Sequence, residues 1–367
     1  MAFEEKLIRT KQMFMKRMSI KSPLTTLAYD KRIRYFEDWW AKNYPTHEMF
    51  TVLKGDDLWD ILQLYTGELA ETLAPNTVWN YVTSLRKYLH YMGVKECDRD
   101  SFQENIEMPE KHEKELYPLK LEQIQILLDK MEYRDKALFI CQSACGGRIG
   151  EMLQLRKKNF NFDHDRVLIK IPHTIAKFHK ARTSVLSKEA GVYLKALLGK
   201  LEDDDLVFTK NPNVRSAVTV KEEVLRHALN RCDLGMRYED TKRYKINTHS
   251  FRAYFITKAS RSDPNIAKKL AGEKGYLLQY DRLEDFEFVD AYKLFELNLC
   301  IYDTAKAKVE LELKQTQIDE LEEKNKLIVD LQEQVRLLSQ DRKSTSIKPD
   351  ANTEALVMKL LRDNKLL

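Results

Sequence analysis

Three positively charged residues and a histidine are spaced in this sequence so that they could surround a phosphate group. Arg148 follows a Gly-Gly pair at the head of an apolar helical pattern, and His249 precedes Arg252 by three residues, a spacing that places both on one helical face. Lys177 lies in a basic turn between these two segments. An arginine binds two phosphate oxygens with its planar fork and keeps its charge. These residue types are suited to breaking a phosphodiester bond without a metal ion.

The same residues divide the chemistry of such a cleavage among themselves. Arg148 and Arg252 would neutralise the charge on the non-bridging oxygens, and His249 could donate to the phosphate or assist proton transfer. Lys177 could protonate the leaving 5′ oxygen as a general acid. A tyrosine is a credible nucleophile because nearby arginines favour its ionised form. Each residue type also occurs in purely structural roles, so the hypothesis depends on their combination and order.

Three motifs in this order resemble those of the tyrosine recombinase, or phage integrase, family. Residues 144–155, ACGGRIGEMLQL, are similar to the box with the family's first arginine, and residues 247–255, NTHSFRAYF, are similar to its His-x-x-Arg box. Residues 177–183, KFHKART, resemble its basic hairpin with the catalytic lysine. The resemblance covers residues 20–300 and is strongest to archaeal and archaeal-virus integrases. It implies that the two arginines, the histidine and the lysine named above are catalytic.

The resemblance also implies that a tyrosine downstream of these boxes attacks the DNA. The segment 275–283 favours Tyr280 as the nucleophile, with Tyr276 as the second choice and Tyr292 as the third. One position departs from the family, in which a histidine or tryptophan follows a glycine shortly before the nucleophile. Glu273 stands there in this chain, and an ionised carboxylate cannot donate a hydrogen bond to a phosphate. The chain therefore either uses fewer donors or has a weakened activity.

The activity implied by the resemblance is site-specific recombination. Such an enzyme, a recombinase or integrase, cleaves and rejoins double-stranded DNA through a 3′-phosphotyrosyl intermediate, works as a homotetramer on two DNA sites and needs no metal or other cofactor. The alternative is a catalytically inactive DNA-binding protein of the same fold that recruits a partner through a coiled-coil tail. The two hypotheses differ in one observable, a covalent bond between protein and DNA.

Four further basic residues are candidates for contacts with the DNA backbone, because lysine and arginine neutralise phosphates. Lys180 and Arg182 belong to the basic hairpin. Arg86 and Lys87 alternate with aromatic residues in a helix of the amino-terminal part. An ordinary amphipathic helix with a solvated basic side explains that second pattern equally well.

Apolar spacing predicts a mainly α-helical chain with one small β-hairpin, formed by residues 166–172 and 183–186. A single charged helix packed on the catalytic domain is the alternative to the predicted coiled coil, whose apolar residues recur at spacings of three and four. The predicted segments are a lead-in (1–20), a helical core-binding domain (21–97), a polar linker (98–116), a mixed α/β catalytic domain (117–303), a coiled coil (304–340), and a linker with a short last helix (341–367).

Composition limits the class of protein. The 367 residues carry a formal net charge of +5, so acidic stretches such as 202–205 and 310–333 must balance any basic binding face. The five cysteines show neither metal-ligand nor disulfide spacing, which is typical of a reducing compartment. No apolar run reaches the roughly 18 residues of a membrane span, and the amino terminus lacks a secretory pattern. We therefore expect a cytoplasmic protein without a membrane partner, and the family resemblance implies a prokaryotic or archaeal host.

Overall fold

The chain divides into two compact units, each with its own hydrophobic core. The computed structural model describes residues 9–20, 22–111, 116–239, 241–273 and 282–344, together with 358, 359 and 362. The first unit is Met1–Leu116 with Glu239–Thr241, and the second is Tyr117–Tyr238 with Lys242–Leu367. Among the described residues, no helix combines the length and the apolar character needed to cross a membrane.

The first unit packs helices around aromatic and aliphatic side chains. Ser22 begins the second helix because its hydroxyl accepts the backbone N–H of Thr25, and a proline occupies the first helical position. Ile33 and Phe36 of that helix lie on one buried face. The helices are α1 (Lys11–Ser19), α2 (Pro23–Asn43), α3 (Met49–Val52), α4 (Leu58–Thr72), α5 (Pro75–Met92) and α6 (Arg99–Asn105).

Two segments of the first unit differ from the sequence prediction. The predicted lead-in over 1–20 contains α1, which buries Phe14 in the core. The predicted linker over 98–116 begins with α6, and it buries Phe102 of that helix and the following Ile106. Both helices are short and bury only one or two side chains, so the sequence shows a weak helical pattern for α1 and none for α6.

The described part of the second unit contains a three-stranded antiparallel sheet. Its strands β1 (Phe160–Asn161), β2 (Val167–Ile171) and β3 (Arg182–Leu186) lie in the order β1-β2-β3. The pairing of β2 with β3 confirms the predicted hairpin. Nearly all of β2 is buried, which explains its continuous apolar run. The two residues of β1 are too few to show an alternating pattern, so this strand was not predicted.

Helices surround the sheet, and one of them lies at the centre of the core. Residues 137–147 are all buried, as expected for a helix that is apolar on every side. That helix ends at Gly146, whose φ of +63° is in the left-handed region, and any side chain there would collide with Phe255. The helices are α7 (Leu121–Leu128), α8 (Tyr133–Cys145), α9 (Ile149–Met152), α10 (Lys188–Leu198), α11 (Val214–Arg231), α12 (Thr248–Ala259), α13 (Pro264–Ala271) and α14 (Asp285–Glu296).

A long final helix, α15 (Asp303–Ser344), begins within the second unit. Val309 is buried, and Glu312 lies 3.2 Å from the guanidinium of the buried Arg166. Beyond this base most of the apolar residues are exposed, Leu321 by 59% for example. The helix expected after residue 303 is therefore present, while its pairing in a coiled coil stays a prediction. The short last helix predicted near the carboxy terminus lies almost entirely outside the described residues.

Candidate active site

Arg148 lies where the chain passes from α8 to α9. The left-handed turn at Gly146 ends α8, and the extended backbone of Arg148 caps α9. Nη1 of Arg148 donates to the carbonyl oxygen of Gly272 at 3.1 Å, and the guanidinium carbon lies 5.2 Å from the centre of the Phe178 ring. The side chain remains 19% exposed. It is therefore held in place while part of its fork stays accessible to a ligand.

Arg252, on α12, is the other arginine of the site and is only 1% exposed. Its Nη1 donates to the carbonyl oxygens of Gly146 and Ala271, both at 2.6 Å, and its Nη2 lies 3.1 Å from the carboxylate of Glu273. Burial lowers the pKa of Arg252, and the positive charge of Arg148 lowers it further. The two guanidinium groups therefore meet at the turn that ends α13.

Gly272 makes this meeting possible. It ends α13 with a φ of +68°, and a Cβ atom there would lie 2.5 Å from Nε of Arg182, so no other residue fits without a shift. The last carbonyl groups of a helix lack intrahelical partners and carry partial negative charge. Ala271 and Gly272 direct two such carbonyls at the two arginines. The end of α13 thus fixes both guanidinium groups.

A buried carboxylate, Glu151, connects Arg148 to the hairpin. It is 3% exposed, and it accepts from Nη2 of Arg182 at 2.5 Å, from the backbone N–H of Lys177 at 3.0 Å and from Nη1 of Arg148 at 3.4 Å. Burial by itself raises the pKa of Glu151, but the hydrogen bond and charge of Arg182, the Lys177 N–H and Arg148 together hold it below its usual value. Glu151 is therefore ionised at neutral pH.

Lys177 and His249 complete the cluster. Lys177 is exposed in the turn between β2 and β3, and His249 lies in the first turn of α12. His249 is exposed, yet partial desolvation of its imidazole lowers its pKa, and the charges of Arg252, Arg148 and Lys177 lower it further against the opposing effect of Glu273. The imidazole is thus mainly neutral at pH 7, where one ring nitrogen donates and the other accepts. The structure brings together the two arginines, the histidine and the lysine that the sequence singled out.

Of the three candidate nucleophiles, only Tyr292 lies among the residues that the structure describes. Tyr280 and Tyr276 lie outside the described residues. Tyr292 is completely buried, and its hydroxyl donates to the carbonyl oxygen of Ala144 at 2.8 Å. Burial raises the pKa of Tyr292 well above its usual value. A phenol that is buried and kept neutral cannot attack DNA, so the structure disfavours the third choice.

The four predicted DNA contacts fall into two groups. Arg86 and Lys87 lie on α5 of the first unit, where each makes one hydrogen bond, to a carbonyl oxygen and to a phenol respectively. Lys180 is exposed in the hairpin turn. Arg182 instead points into the second unit, is 11% exposed and pairs with Glu151. Its guanidinium is directed away from solvent, contrary to what a DNA contact requires.

Residues 117–272 match the model of the phage integrase family. The matched segment contains all three of the motifs singled out in the sequence. Tyrosine recombinase XerC of Alcanivorax borkumensis is 25% identical over 217 residues, a match that covers 54% of this chain and 69% of that protein. The family resemblance of the three motifs is confirmed by these comparisons, while the likeness to archaeal integrases stays a prediction.

Two solved structures share the fold of this chain. The XerH site-specific recombinase in a post-cleavage complex with a palindromic difH substrate has a TM-score of 0.50 at 20% identity, covering 78% of this chain and 83% of that one. The Tn1549 transposon integrase in complex with transposon right end DNA has a TM-score of 0.50 at 13% identity, covering 76% and 96%. The mainly helical fold with its small antiparallel sheet is therefore that of the tyrosine recombinases.

The charged groups around Arg148 and Arg252 are arranged so that they could receive an anion. Arg148, Arg252 and Lys177 supply positive charge, and the carboxylates of Glu151 and Glu273 are each hydrogen-bonded to an arginine. Among the described residues, no group of three or more histidine, cysteine, aspartate or glutamate side chains is placed to hold a metal ion. The cluster of Arg148, Arg252 and Lys177 can stabilise negative charge that develops on the oxygens of a phosphate.

Sequence reasoning gave no role to two residues that organise the candidate active site. Glu151 follows Arg148 by three residues, a spacing that brings side chains together on a helix and could have suggested their pairing. Gly272 looked like an ordinary helix-ending glycine. Its contact with Arg182 joins residues 90 positions apart, and no local pattern shows that.

Proposed function

We propose that this protein is a site-specific DNA recombinase or integrase that breaks and rejoins strands through a 3′-phosphotyrosyl intermediate. The observation that carries the proposal is the meeting of Arg148 and Arg252 at the end of α13, with His249 and Lys177 beside them. Paired guanidinium groups match the geometry of a phosphodiester. The XerH and Tn1549 structures were solved with DNA, which supports duplex DNA as the substrate.

The proposed reaction exchanges one phosphoester bond for another. The hydroxyl of Tyr280 gives its proton to the accepting ring nitrogen of His249 and attacks the scissile phosphorus as the bond to the 5′ oxygen breaks. Lys177 gives that oxygen a proton. Arg148 and Arg252 stabilise the charge on the non-bridging oxygens. The 5′-hydroxyl of the partner strand then attacks the phosphotyrosyl bond and releases the tyrosine. Because the number of phosphoester bonds is unchanged, no energy source or cofactor is required.

A nicked suicide duplex that carries the native recombination site tests the proposal. Cleavage beside the nick lets the short fragment diffuse away, so the covalent protein–DNA adduct accumulates and is seen on a denaturing gel. An adduct supports the recombinase. Site-specific binding without an adduct supports the alternative, a DNA-binding protein of this fold that recruits a partner through its carboxy-terminal helix.

We expect Lys177→Ala to slow cleavage of an ordinary substrate by about 10²–10⁴-fold, the range for a positioned general acid. The defect should nearly vanish on a substrate with sulfur in place of the leaving 5′ oxygen, since a thiolate leaves without a proton. Single-turnover rates on the two substrates provide the measurement. Lys180→Ala, which removes the other exposed lysine of the turn, should show no such selective rescue. An equal defect of Lys177→Ala on both substrates would mean that this lysine contributes only its charge.

We further propose that the protein assembles as a homotetramer on two DNA sites, with α15 pairing between copies. The exposed stripe on α15 is narrow, which suits a partner helix better than a globular core. Asn325 falls within it, and a buried asparagine at such a position fixes register. The exposed apolar residues of the stripe are Leu311, Ile318, Leu321, Val335 and Leu338.

Two truncations separate the base of α15 from its exposed stripe. A chain ending at Thr316 keeps Val309 and Glu312, so we expect normal thermal stability, normal cleavage of a suicide substrate and weaker assembly. A chain ending at Asp303 loses both contacts and should be less stable by on the order of 2 kcal/mol, the cost of exposing one valine core site. Sedimentation and thermal unfolding measure the two effects. If the full chain and the chain ending at Thr316 show the same oligomeric state in sedimentation, both with and without DNA, the proposed pairing of α15 between copies is wrong.

A further inference from the structure

Arg182 joins three elements of the catalytic unit that meet at its guanidinium group. It begins β3 opposite Ile171 of β2, and its side chain extends to Glu151 on α9 and to Gly272 at the end of α13. Only 11% of the side chain is exposed. A cation so enclosed acts on its protein neighbours rather than on a ligand in solvent.

Glu151 takes its neutralising charge mainly from Arg182 rather than from Arg148. Nη2 of Arg182 lies 2.5 Å from Oε2 of Glu151, whereas the contact between the Arg148 and Glu151 side chains is 3.4 Å long. A buried carboxylate without a close cation is strongly unfavourable. Of the described cations in contact with Glu151, Arg148 alone would remain if Arg182 were lost. The pull of Glu151 on Arg148 would then increase.

The other face of Arg182 packs on the turn that holds Arg148. A Cβ atom at Gly272 would lie 2.6 Å from Cζ of Arg182, and Nε of Arg182 is buried without a hydrogen-bond partner in the described part of the chain. An unpaired buried N–H is unfavourable. The carbonyl of Gly272 accepts from Arg148 at 3.1 Å. Arg182 thus contacts both the Glu151 carboxylate and Gly272, the two acceptors of the Arg148 guanidinium. Its packing must offset the unfavourable burial of its unpaired Nε–H.

The hairpin contacts the carboxylate of Glu151 at two points, within its turn and at the start of β3. The backbone N–H of Lys177 donates to Oε1 of Glu151, and Arg182 reaches the same carboxylate from the start of β3. We propose that Arg182 is a positioning residue which neutralises Glu151, so that Arg148 stays directed at the phosphate and the Lys177 turn stays against α9. This inference rests on the proposed recombinase function.

A pair of variants tests the neutralising role directly. In Arg182→Met the unpaired Glu151 should draw Arg148 away, and we expect adduct formation to slow by about 100-fold, the effect of a misplacement of roughly 1 Å. In the double variant Arg182→Met/Glu151→Gln the attracting charge is gone, so about tenfold of the loss should return. Glu151→Gln alone completes the cycle. A double variant no faster than Arg182→Met overturns the inference.

A direct contact of Arg182 with DNA predicts a different result. Log affinity falls as log salt concentration rises, and loss of one phosphate contact makes this negative slope shallower by about 0.9. Lys180→Met removes an exposed cation from the same turn and is the matched variant for that kind of loss. We expect the slope for Arg182→Met to equal that of the unaltered protein. A slope that is shallower by about 0.9 would show that Arg182 binds a DNA phosphate and would overturn the positioning role.

Hydrogen exchange tests the same inference without catalysis. If Arg182 fixes Glu151, the peptide 172–181 should exchange faster in Arg182→Met, whereas Arg182→Lys, which keeps the charge, should lie between it and the unaltered protein. Thermal unfolding checks that each variant is folded, and Arg182→Lys serves alone if Arg182→Met is not. An unaltered protein that never forms an adduct refutes the proposed function, yet exchange still decides the role of Arg182. Unchanged exchange in the folded variants overturns it.

Discussion

Tyr280→Phe is expected to abolish the covalent protein–DNA adduct while leaving DNA affinity nearly intact. The substitution removes only the hydroxyl that would attack phosphorus, so the cationic site and the binding surface stay unchanged. Adduct yield on the suicide duplex and affinity in a binding titration give the two measurements.

Two matched variants make the assignment of the nucleophile specific. Tyr276→Phe removes a hydroxyl four residues earlier in the sequence and should retain the adduct. If it abolishes the adduct and Tyr280→Phe does not, the nucleophile is Tyr276. Tyr292→Phe should lower stability through the lost hydrogen bond to Ala144 without affecting the chemistry. Adducts from all three single variants would mean that the attacking group lies elsewhere in the chain.

Loss of either arginine should slow cleavage by about 10²–10³-fold, the effect of removing one donor to a developing negative charge. DNA binding should weaken much less, because the guanidinium groups act mainly on charge that grows in the transition state. Arg148→Ala and Arg252→Ala are compared in single-turnover cleavage at saturating protein and in binding titrations. Equal losses of rate and affinity would instead mean that these residues only hold the DNA.

The two arginine variants should differ in stability. Arg252→Ala leaves the buried carbonyls of Gly146 and Ala271 without their donor, which costs on the order of 3 kcal/mol. Arg148→Ala removes a partly exposed side chain and should change the free energy of unfolding far less. Thermal unfolding of the two variants measures this difference. A similar loss in both would contradict the burial that separates them.

By the family resemblance, Glu273 is predicted to stand where the family usually has a donor, and it would give the site an acceptor instead. Its carboxylate is 41% exposed and accepts from Nη2 of Arg252 at 3.1 Å. The ionised carboxylate therefore orients Arg252 and offsets part of its charge. In the proposed reaction the donors to phosphate are then Arg148, His249 and the remaining N–H groups of Arg252. This arrangement uses fewer donors than the family pattern.

The sequence by itself determined the local elements and the order of the reactive residues. The apolar run of α8 and the β-branched residues of β2 are patterns of neighbouring positions, and each formed the predicted element. The three motifs identified Arg148, Lys177 and the His249 to Arg252 pair for the same reason, since each motif is short. The short helix α6 escaped prediction because one buried side chain does not establish a period.

Only the tertiary structure decided how these residues are held and which of them reach solvent. Arg148 meets Gly272 across 124 positions, and Arg252 meets Gly146 across 106. The same packing buried Tyr292 and turned Arg182 inward toward its carboxylate partner. Spacing along a chain fixes which face of its own element a side chain occupies, but what faces it depends on how distant elements pack. The site is therefore predictable in its residue types and not in its contacts.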